Sequence, residues 1–151
     1  MPGAFTVKLV GLDSPCEGLL VADFTKPTGY EFAPGQFLGL TIDTAEGPQR
    51  HWLSHADAPC DPEITISTRP SNSPFKRALA AMTAGDLATV EGPRGRLIAP
   101  ADTERILILS GGVGVNPFRS ILRARDRTSG GPPVVLLYGN NAEDCVPFKE
   151  E

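Results

Sequence analysis

A continuous apolar segment followed by a glycine-rich turn restricts the fold of this chain more than any other feature. Residues 106–109 are all Ile or Leu, as expected for a parallel strand that is buried on both faces. The glycine-rich turn 111–117 follows, then a helical pattern over 118–127, and a second apolar strand is predicted at 134–138. This order predicts one βαβ unit of a nucleotide-binding sheet. Residues 143–151 could begin another helix.

The first hundred residues show a different pattern, with short alternating segments between turn residues. Glycine (16 residues) and proline (15 residues) make up about a fifth of the 151 residues, against a usual share of about 12%. Strands are predicted at 5–10, 18–24, 87–90 and 64–68 and within 34–42, with a turn at 92–95. One helix is predicted from the capping residue Ser73 to Met82.

The predicted fold class is therefore mixed. An antiparallel β-barrel domain is predicted over residues 1–103, and a partial α/β, Rossmann-like domain over residues 104–151.

Composition excludes several classes of protein. The net charge of −4 argues against a nucleic-acid binder, which usually has a basic face. No apolar run reaches the roughly 18 residues of a membrane span, and the N-terminus has no secretory signal pattern. The two histidines and three cysteines lack metal-ligand spacing, so no metal site is predicted. The scattered Cys16, Cys60 and Cys145 predict reduced thiols and a cytoplasmic protein.

The glycine-rich turn has the residues that a phosphate site needs. Gly111, Gly112 and Gly114 let the main chain approach a ligand closely, and the turn continues through Asn116 and Pro117 into a helix. The free N–H groups and partial positive charge of that helix start suit a pyrophosphate. The alternative is a tight strand-to-helix turn that binds nothing.

A second candidate anion site precedes the predicted barrel helix. Thr68 and Arg69 lead to the capping residue Ser73, and Lys76 lies in the first turn of the helix. Hydroxyl groups and basic side chains around a helix N-terminus favour an anion. The alternative is a capped helix with solvated basic residues.

A third candidate lies in one short segment that combines a basic residue, an aromatic ring and a hydroxyl. Its five residues are Arg50, His51, Trp52, Leu53 and Ser54. The aromatic ring could stack on a planar ligand. The alternative is an ordinary barrel strand with Trp52 in the core.

Taken together, these segments resemble the ferredoxin–NADP reductase superfamily over nearly the whole chain. Further matching segments are 34–37, 73–79, the Gly-Pro-x-Gly turn at 92–95 and Tyr138-Gly139-Asn140. The resemblance implies a barrel that binds FAD, less often FMN, and an α/β domain that binds NADH or NADPH.

The resemblance also implies residue roles, with two registers open for the Arg-x-Tyr-Ser motif of the family. In one register Arg50 and Trp52 match the Arg and Tyr; in the other Ser54 matches the Ser and His51 stands at the Arg position. The family's Arg meets the flavin pyrophosphate, its aromatic packs on the ring system, and its hydroxyl, here Ser54, lies near the nitrogen that accepts hydride.

The remaining motifs are assigned by the same resemblance. The segment 68–76 matches the flavin phosphate cradle, and 111–117 matches the turn beneath the nicotinamide nucleotide. Asn116 stands where many relatives carry Thr, and Asn141 where many carry an Arg, so no NADPH preference is predicted.

The resemblance implies an oxidoreductase that passes electrons from NAD(P)H through a flavin to a one-electron acceptor such as ferredoxin or another iron–sulfur protein. The alternatives are a flavin-binding electron-transfer module without its own NAD(P)H activity, and a truncated remnant. The chain stops where family members continue with further strands. A two-stranded parallel sheet leaves apolar faces open, which predicts self-association or completion by another chain.

Overall fold

The computed structural model describes residues 3–100, 102–127 and 131–150. The outer ends of the two predicted domains, residues 1 and 151, lie outside the described residues, and the boundary near residue 103 stays a prediction. The elements in chain order are β1 (Ala4–Asp13), β2 (Leu20–Thr25), β3 (Phe37–Ile42), β4 (Gln49–Ser54), β5 (Glu63–Thr68), α1 (Pro74–Ala81), β6 (Leu87–Arg94), β7 (Ile106–Gly111), α2 (Asn116–Asp126) and β8 (Val134–Gly139).

The first six strands form one antiparallel sheet in the order β4-β3-β6-β1-β2-β5. Alternating side chains from these strands point to one side, where Leu38, Leu40, Ile64 and Ile66 have no exposed surface. The edge strands β4 and β5 approach each other, and α1 packs against β3 and β4. Phe75 and Leu79 of α1 complete the core. The predicted barrel is thus a six-stranded half-barrel sheet covered by one helix.

Strand β6 continues through the segment that the sequence predicts as a turn. Its pairing with β1 ends at Glu91, whereas its pairing with β3 continues to Arg94. Pro93 therefore lies where the strand has a partner on one side only, and a missing N–H is tolerated there. The turn prediction for 92–95 is wrong because glycine and proline also occur in such half-paired strand ends.

The second unit consists of β7 and β8, which pair in parallel, and helix α2. A 3-10 turn, Gly112–Val115, joins β7 to α2. The predicted βαβ order is confirmed, but residues 143–150 form turns rather than the start of a helix.

One face of the β7–β8 sheet is covered and the other is open. On the covered face, Ile108 and Ile121 of α2 are buried. For the described residues, the expectation of burial on both faces is wrong and the expectation that a two-stranded sheet leaves an apolar face open is confirmed, because four apolar side chains of the other face are more than half exposed. These are Leu107 (62%), Leu109 (65%), Val135 (56%) and Leu137 (57%).

A disulfide links the two units, which the sequence analysis did not predict. Cys16, in the loop between β1 and β2, is bonded to Cys145 beyond β8, with Cα atoms 5.4 Å apart. The prediction of three reduced thiols is wrong. The cysteines therefore no longer support the prediction of a cytoplasmic protein. A pair 129 residues apart has no local spacing signal, because only the fold brings the two loops together. Cys60 is free and exposed.

Thiol titration checks this bond directly. Protein purified without reductant and then unfolded is expected to react at one thiol, that of Cys60, and at all three after reduction. The Cys60→Ser variant should show no reactive thiol before reduction and two after it. Three reactive thiols in the unreduced protein would contradict the bond.

Candidate functional site

The first turn of α1 forms a polar cradle, which we define as Ser71, Ser73, Lys76 and His51. The Ser73 hydroxyl caps the helix by accepting the Lys76 N–H at 3.3 Å, and the Ser71 hydroxyl lies 3.3 Å from that of Ser73. Burial lowers the pKa of Lys76 below its usual value. A partly desolvated ammonium beside the N-terminus of a helix is suited to an anionic group.

His51 lies at this cradle because of its face on β4. It pairs with Leu40, and Leu53 pairs with Leu38, so both side chains share the face of the buried leucines. The His51 ring stacks on Phe75 of α1, with ring centroids 4.0 Å apart. Burial and the charge of Lys76 lower the pKa of His51. His51 therefore offers a ring nitrogen next to Lys76.

Arg50 and Trp52 lie on the opposite face of β4, away from the cradle. Arg50 forms an ion pair with Glu91 at 2.5 Å. Trp52 is 45% exposed, and the guanidinium groups of Arg50 and Arg94 lie 5.2 and 5.1 Å from its ring. The alternative that placed Trp52 in the core is wrong. The structure thus places His51, and not Arg50, on the face of β4 that meets α1.

Ser54 ends β4 at its junction with a buried segment that the sequence analysis missed. His55 is fully buried, 3.0 Å from the Tyr30 hydroxyl and 2.9 Å from Asp57 Oδ1, and its ring stacks on that of Phe32 at 3.7 Å. Lys26 pairs with the other Asp57 oxygen at 3.2 Å. Burial and the nearby Asp57 raise the pKa of Tyr30. This closed network supports the backbone after Ser54, and no sequence pattern distinguishes it from a loop.

Arg69, directly after β5, lies against the glycine-rich turn. Thr68 ends β5 and is buried, whereas Arg69 is exposed and turns toward the second unit. A Cβ atom at Gly112 would collide with the Arg69 guanidinium, and Gly112 has φ +50°. Gly112 thus permits both the left-handed backbone and the close approach of a cation.

The rest of the turn presents its glycines outward. Gly111 and Gly114 are exposed, and Pro117 lies in the first turn of α2. The Tyr138 hydroxyl lies 3.0 Å from the Gly112 carbonyl oxygen and 3.2 Å from that of Pro147. Tyr138 is a site residue that sequence reasoning noted only as part of a motif, because its contact with the turn depends on the pairing of β7 with β8.

Asn116 does not face the open side of the turn. It is only 3% exposed, and its amide exchanges two hydrogen bonds with Ser67 of β5. The prediction that Asn116 binds the nucleotide therefore concerns at most its backbone, because its side chain is engaged between the two units.

Further along α2, basic side chains bind the half-barrel. Arg119 donates to the Ala56 carbonyl at 2.6 Å. Asp61 accepts from Arg123 at 3.1 and 3.3 Å and from Arg127 at 2.6 Å. Burial alone would raise the pKa of Asp61, but hydrogen bonds from Arg123 and the Ala58 N–H, with the two arginine charges, lower it.

The Asp61 contacts predict a pH-dependent contribution to stability. Because the pKa is lowered on folding, the contribution is complete above the ordinary value of 3.8 and is lost as the pH falls through the lower folded-state value. Asp61→Asn is expected to cost about 1–2 kcal/mol at neutral pH, since the arginines are partly solvated. Urea unfolding at pH 7 and pH 3 should show the difference between the two proteins shrinking in acid. An equal difference at both pH values would contradict the assignment.

A cavity of about 120 Å³ lies beside the glycine-rich turn, and its lining includes Arg69, Val113, Asn141 and Cys145. A larger cavity of about 690 Å³ lies between α2 and β8, away from the cradle. No described helix is long and apolar enough to cross a membrane.

Comparison with known proteins agrees with this arrangement. Residues 108–151 match the model of the oxidoreductase NAD-binding domain family. The ferredoxin–NAD(+) reductase component of an alkene monooxygenase system from Xanthobacter autotrophicus is 32% identical over 120 residues, covering 77% of this chain and 37% of that protein. The ferredoxin reductase component of a 3-ketosteroid-9-alpha-monooxygenase from Rhodococcus rhodochrous is 29% identical over 126 residues, covering 81% of this chain and 36% of that protein.

The fold is shared with a ferredoxin NADP+ reductase from Neisseria gonorrhoeae, solved with bound FAD and NADP. The TM-score is 0.88 at 20% identity, over 97% of this chain and 61% of that one. The chain thus spans about a third of the length of the curated relatives named above. The match over residues 108–151 and the shared fold agree with the resemblance of this chain to the ferredoxin–NADP reductase superfamily.

Proposed function

We propose that residues 1–103 bind FAD and that residues 104–151 bind NAD(P)H. The protein then transfers electrons from NAD(P)H through the flavin to a one-electron acceptor. One observation carries the proposal: Arg69, in the segment that leads from β5 to the cradle at α1, packs on Gly112 of the glycine-rich turn. Two sites suited to phosphate that are linked by this contact fit two nucleotides that must meet. The relatives' names, which specify ferredoxin reductase components, support the same reaction class.

Each residue has a defined part in this proposal. The N–H groups of α1, the Ser73 hydroxyl, Lys76 and His51 hold the flavin phosphates. Ser54 lies near the reacting edge of the flavin, and Gly111, Gly112 and Gly114 support the nicotinamide nucleotide. The flavin supplies the redox chemistry when bound, and the protein supplies binding, orientation and exclusion of water.

Partial burial of the Lys76 ammonium at the start of α1 supports the fit of a phosphate to the cradle. Burial lowers the pKa of Lys76, which means that its charged form lacks full solvation. A phosphate beside it would restore that solvation through a charge-assisted hydrogen bond. FAD suits the proposal better than FMN because the relative solved with this fold carries FAD.

The acceptor is proposed to be an iron–sulfur protein, because the relatives are named as reductase components of oxygenase systems. The second candidate is a flavin module without its own NAD(P)H activity. The open face of the β7–β8 sheet favours that candidate, because the unit that holds the nucleotide turn is itself incompletely covered.

Titration with FAD and with FMN, followed by visible spectra, tests the proposal. Bound flavin with quenched fluorescence is expected, with FAD bound more tightly. Anaerobic mixing with NADH or NADPH then separates the two candidates: bleaching of the flavin absorbance supports the reductase, and a flavin that stays oxidised supports the module. Failure of a folded sample to bind either flavin refutes both.

The open sheet face predicts self-association of the 151-residue polypeptide. Four apolar side chains from adjacent strands are more than half exposed there, and such patches are rarely left open to water. Sedimentation at rising concentration is expected to show dimers or larger species, and Leu109→Lys should shift them toward monomer. Thr83→Lys, at an exposed position of the half-barrel, is the control. A monomeric parent protein at high concentration would contradict the prediction.

A further inference from the structure

The contact between Asn116 and Ser67 joins the two halves of the proposed site. The Ser67 hydroxyl donates to Asn116 Oδ1 at 2.6 Å, and Asn116 Nδ2 donates to the Ser67 carbonyl oxygen at 2.9 Å. Both residues are buried, at 2% and 3% exposure. Paired hydrogen bonds in a dry interface define one relative position of the two segments far better than a single solvated contact does.

Asn116 and Ser67 each lie next to one segment of the proposed site. Asn116 is the first residue of α2, and its backbone N–H bonds to the Val113 carbonyl inside the 3-10 turn. Ser67 precedes Thr68 and Arg69, which lead into the cradle. The backbone of Asn116 thus holds the glycine-rich turn, while its side chain holds β5, the strand that precedes the cradle segment.

We propose that Asn116 is a positioning residue: through Ser67 it fixes the glycine-rich turn against β5, and so sets the distance between nicotinamide and flavin. This inference rests on the proposed function. Hydride transfer needs reacting atoms about 3–3.5 Å apart, and a displacement of about 1 Å can cost about 100-fold in rate. A turn held by this contact therefore affects the rate of transfer more than the binding of either cofactor.

The rest of the interface explains why loss of the contact is a local change. Arg123 of α2 and Arg127, directly after the helix, bind Asp61, and the disulfide ties the loop at Cys16 to Cys145. These links remain in an Asn116 variant, so the two units stay attached while the turn gains freedom.

The test compares Asn116→Ala, Ser67→Ala and the double variant with Thr65→Val in the full chain. Thr65 lies two residues before Ser67 on β5, and its hydroxyl bonds to Asp23 within the half-barrel at 2.5 Å. Thr65→Val thus removes a hydrogen bond from the same strand without touching α2. Hydrogen–deuterium exchange over residues 111–118 should be at least about tenfold faster in the three interface variants and unchanged in the control.

Stopped-flow reduction of the FAD-loaded proteins by NADH gives the second readout. The limiting rate is expected to fall about 10- to 100-fold in the interface variants, whereas the dissociation constants for FAD and NADH change less than about threefold. The double variant should be no slower than Asn116→Ala, because that variant already loses both hydrogen bonds, whereas Ser67→Ala keeps the bond from Asn116 Nδ2 to the backbone carbonyl. Unchanged exchange, or a loss confined to the dissociation constants, overturns the proposal. If the parent protein binds no flavin or is not reduced, the proposed function fails, and exchange alone decides whether the contact holds the turn.

Discussion

Gly35→Ala is expected to destabilise the protein by at least about 3 kcal/mol, combining left-handed backbone strain with overpacking. Gly35 has φ +94°, and a Cβ atom there would collide with the backbone carbonyl of Leu97 and lie 3.0 Å from Ile121 Cδ1. Three parts of the molecule meet at this glycine: the turn before β3, the segment that leads to β7, and helix α2. Because the Leu97 oxygen belongs to the backbone, no side-chain rotation relieves the contact.

Gly29→Ala provides a matched control for backbone strain. Gly29 has φ +80°, but nothing lies within 4 Å of the Cβ position. Its cost should be limited to about 1–2 kcal/mol of left-handed strain. Urea unfolding of the two variants separates the cost of backbone strain from the cost of the contact with Leu97. An equal loss in the free energy of unfolding for both variants would show that the contact with Leu97 contributes nothing.

Local sequence patterns predicted which helices and strands form more completely than they predicted what those elements pack against. The Ser73 cap with Pro74 at the start of α1, the apolar strands β7 and β8 and the glycine-rich turn follow from propensities and capping that act within a few residues. These signals do not depend on the partners of the element.

What the sequence could not predict depends on contacts between distant residues. The bond between Cys16 and Cys145, the buried network of His55 and the engagement of Asn116 with Ser67 each join residues that only the fold brings together or orients. The exposed face of β7 and β8 was predicted from the small number of strands, whereas the apolar runs alone indicate only a preference for burial.

The register of the β4 motif shows how geometry adds to a pattern. The sequence left Arg50 and His51 as equal candidates for the flavin pyrophosphate. Strand alternation alone separates their faces, but it does not reveal which face meets α1. The stacking of His51 on Phe75 and the pairing of Arg50 with Glu91 supply that information.

His51→Ala is expected to weaken FAD binding by about 10-fold or more, because a hydrogen bond to a charged group contributes about 1.5–3 kcal/mol. Arg50→Ala should leave the affinity within about twofold, since Arg50 faces away from the cradle. Burial and Lys76 lower the pKa of His51, so the imidazole is mainly neutral at pH 7 in the free protein. A phosphate favours the protonated form, and FAD should therefore bind more tightly as the pH falls through the His51 pKa.

His51→Phe separates the ring contact with Phe75 from the hydrogen bond. The phenyl ring can keep the stacking that His51 makes at 4.0 Å, but it has no nitrogen to offer a phosphate. FAD titrations at pH 7.5 and pH 5.5 should therefore show weak binding by His51→Phe at both values and a gain in acid only for the proteins that retain His51. Because Arg50→Ala retains it, that variant should follow the pH dependence of the parent protein. A large loss of affinity in Arg50→Ala with none in His51→Phe would return the pyrophosphate to Arg50 and place the flavin on the outer face of β4, beside Trp52.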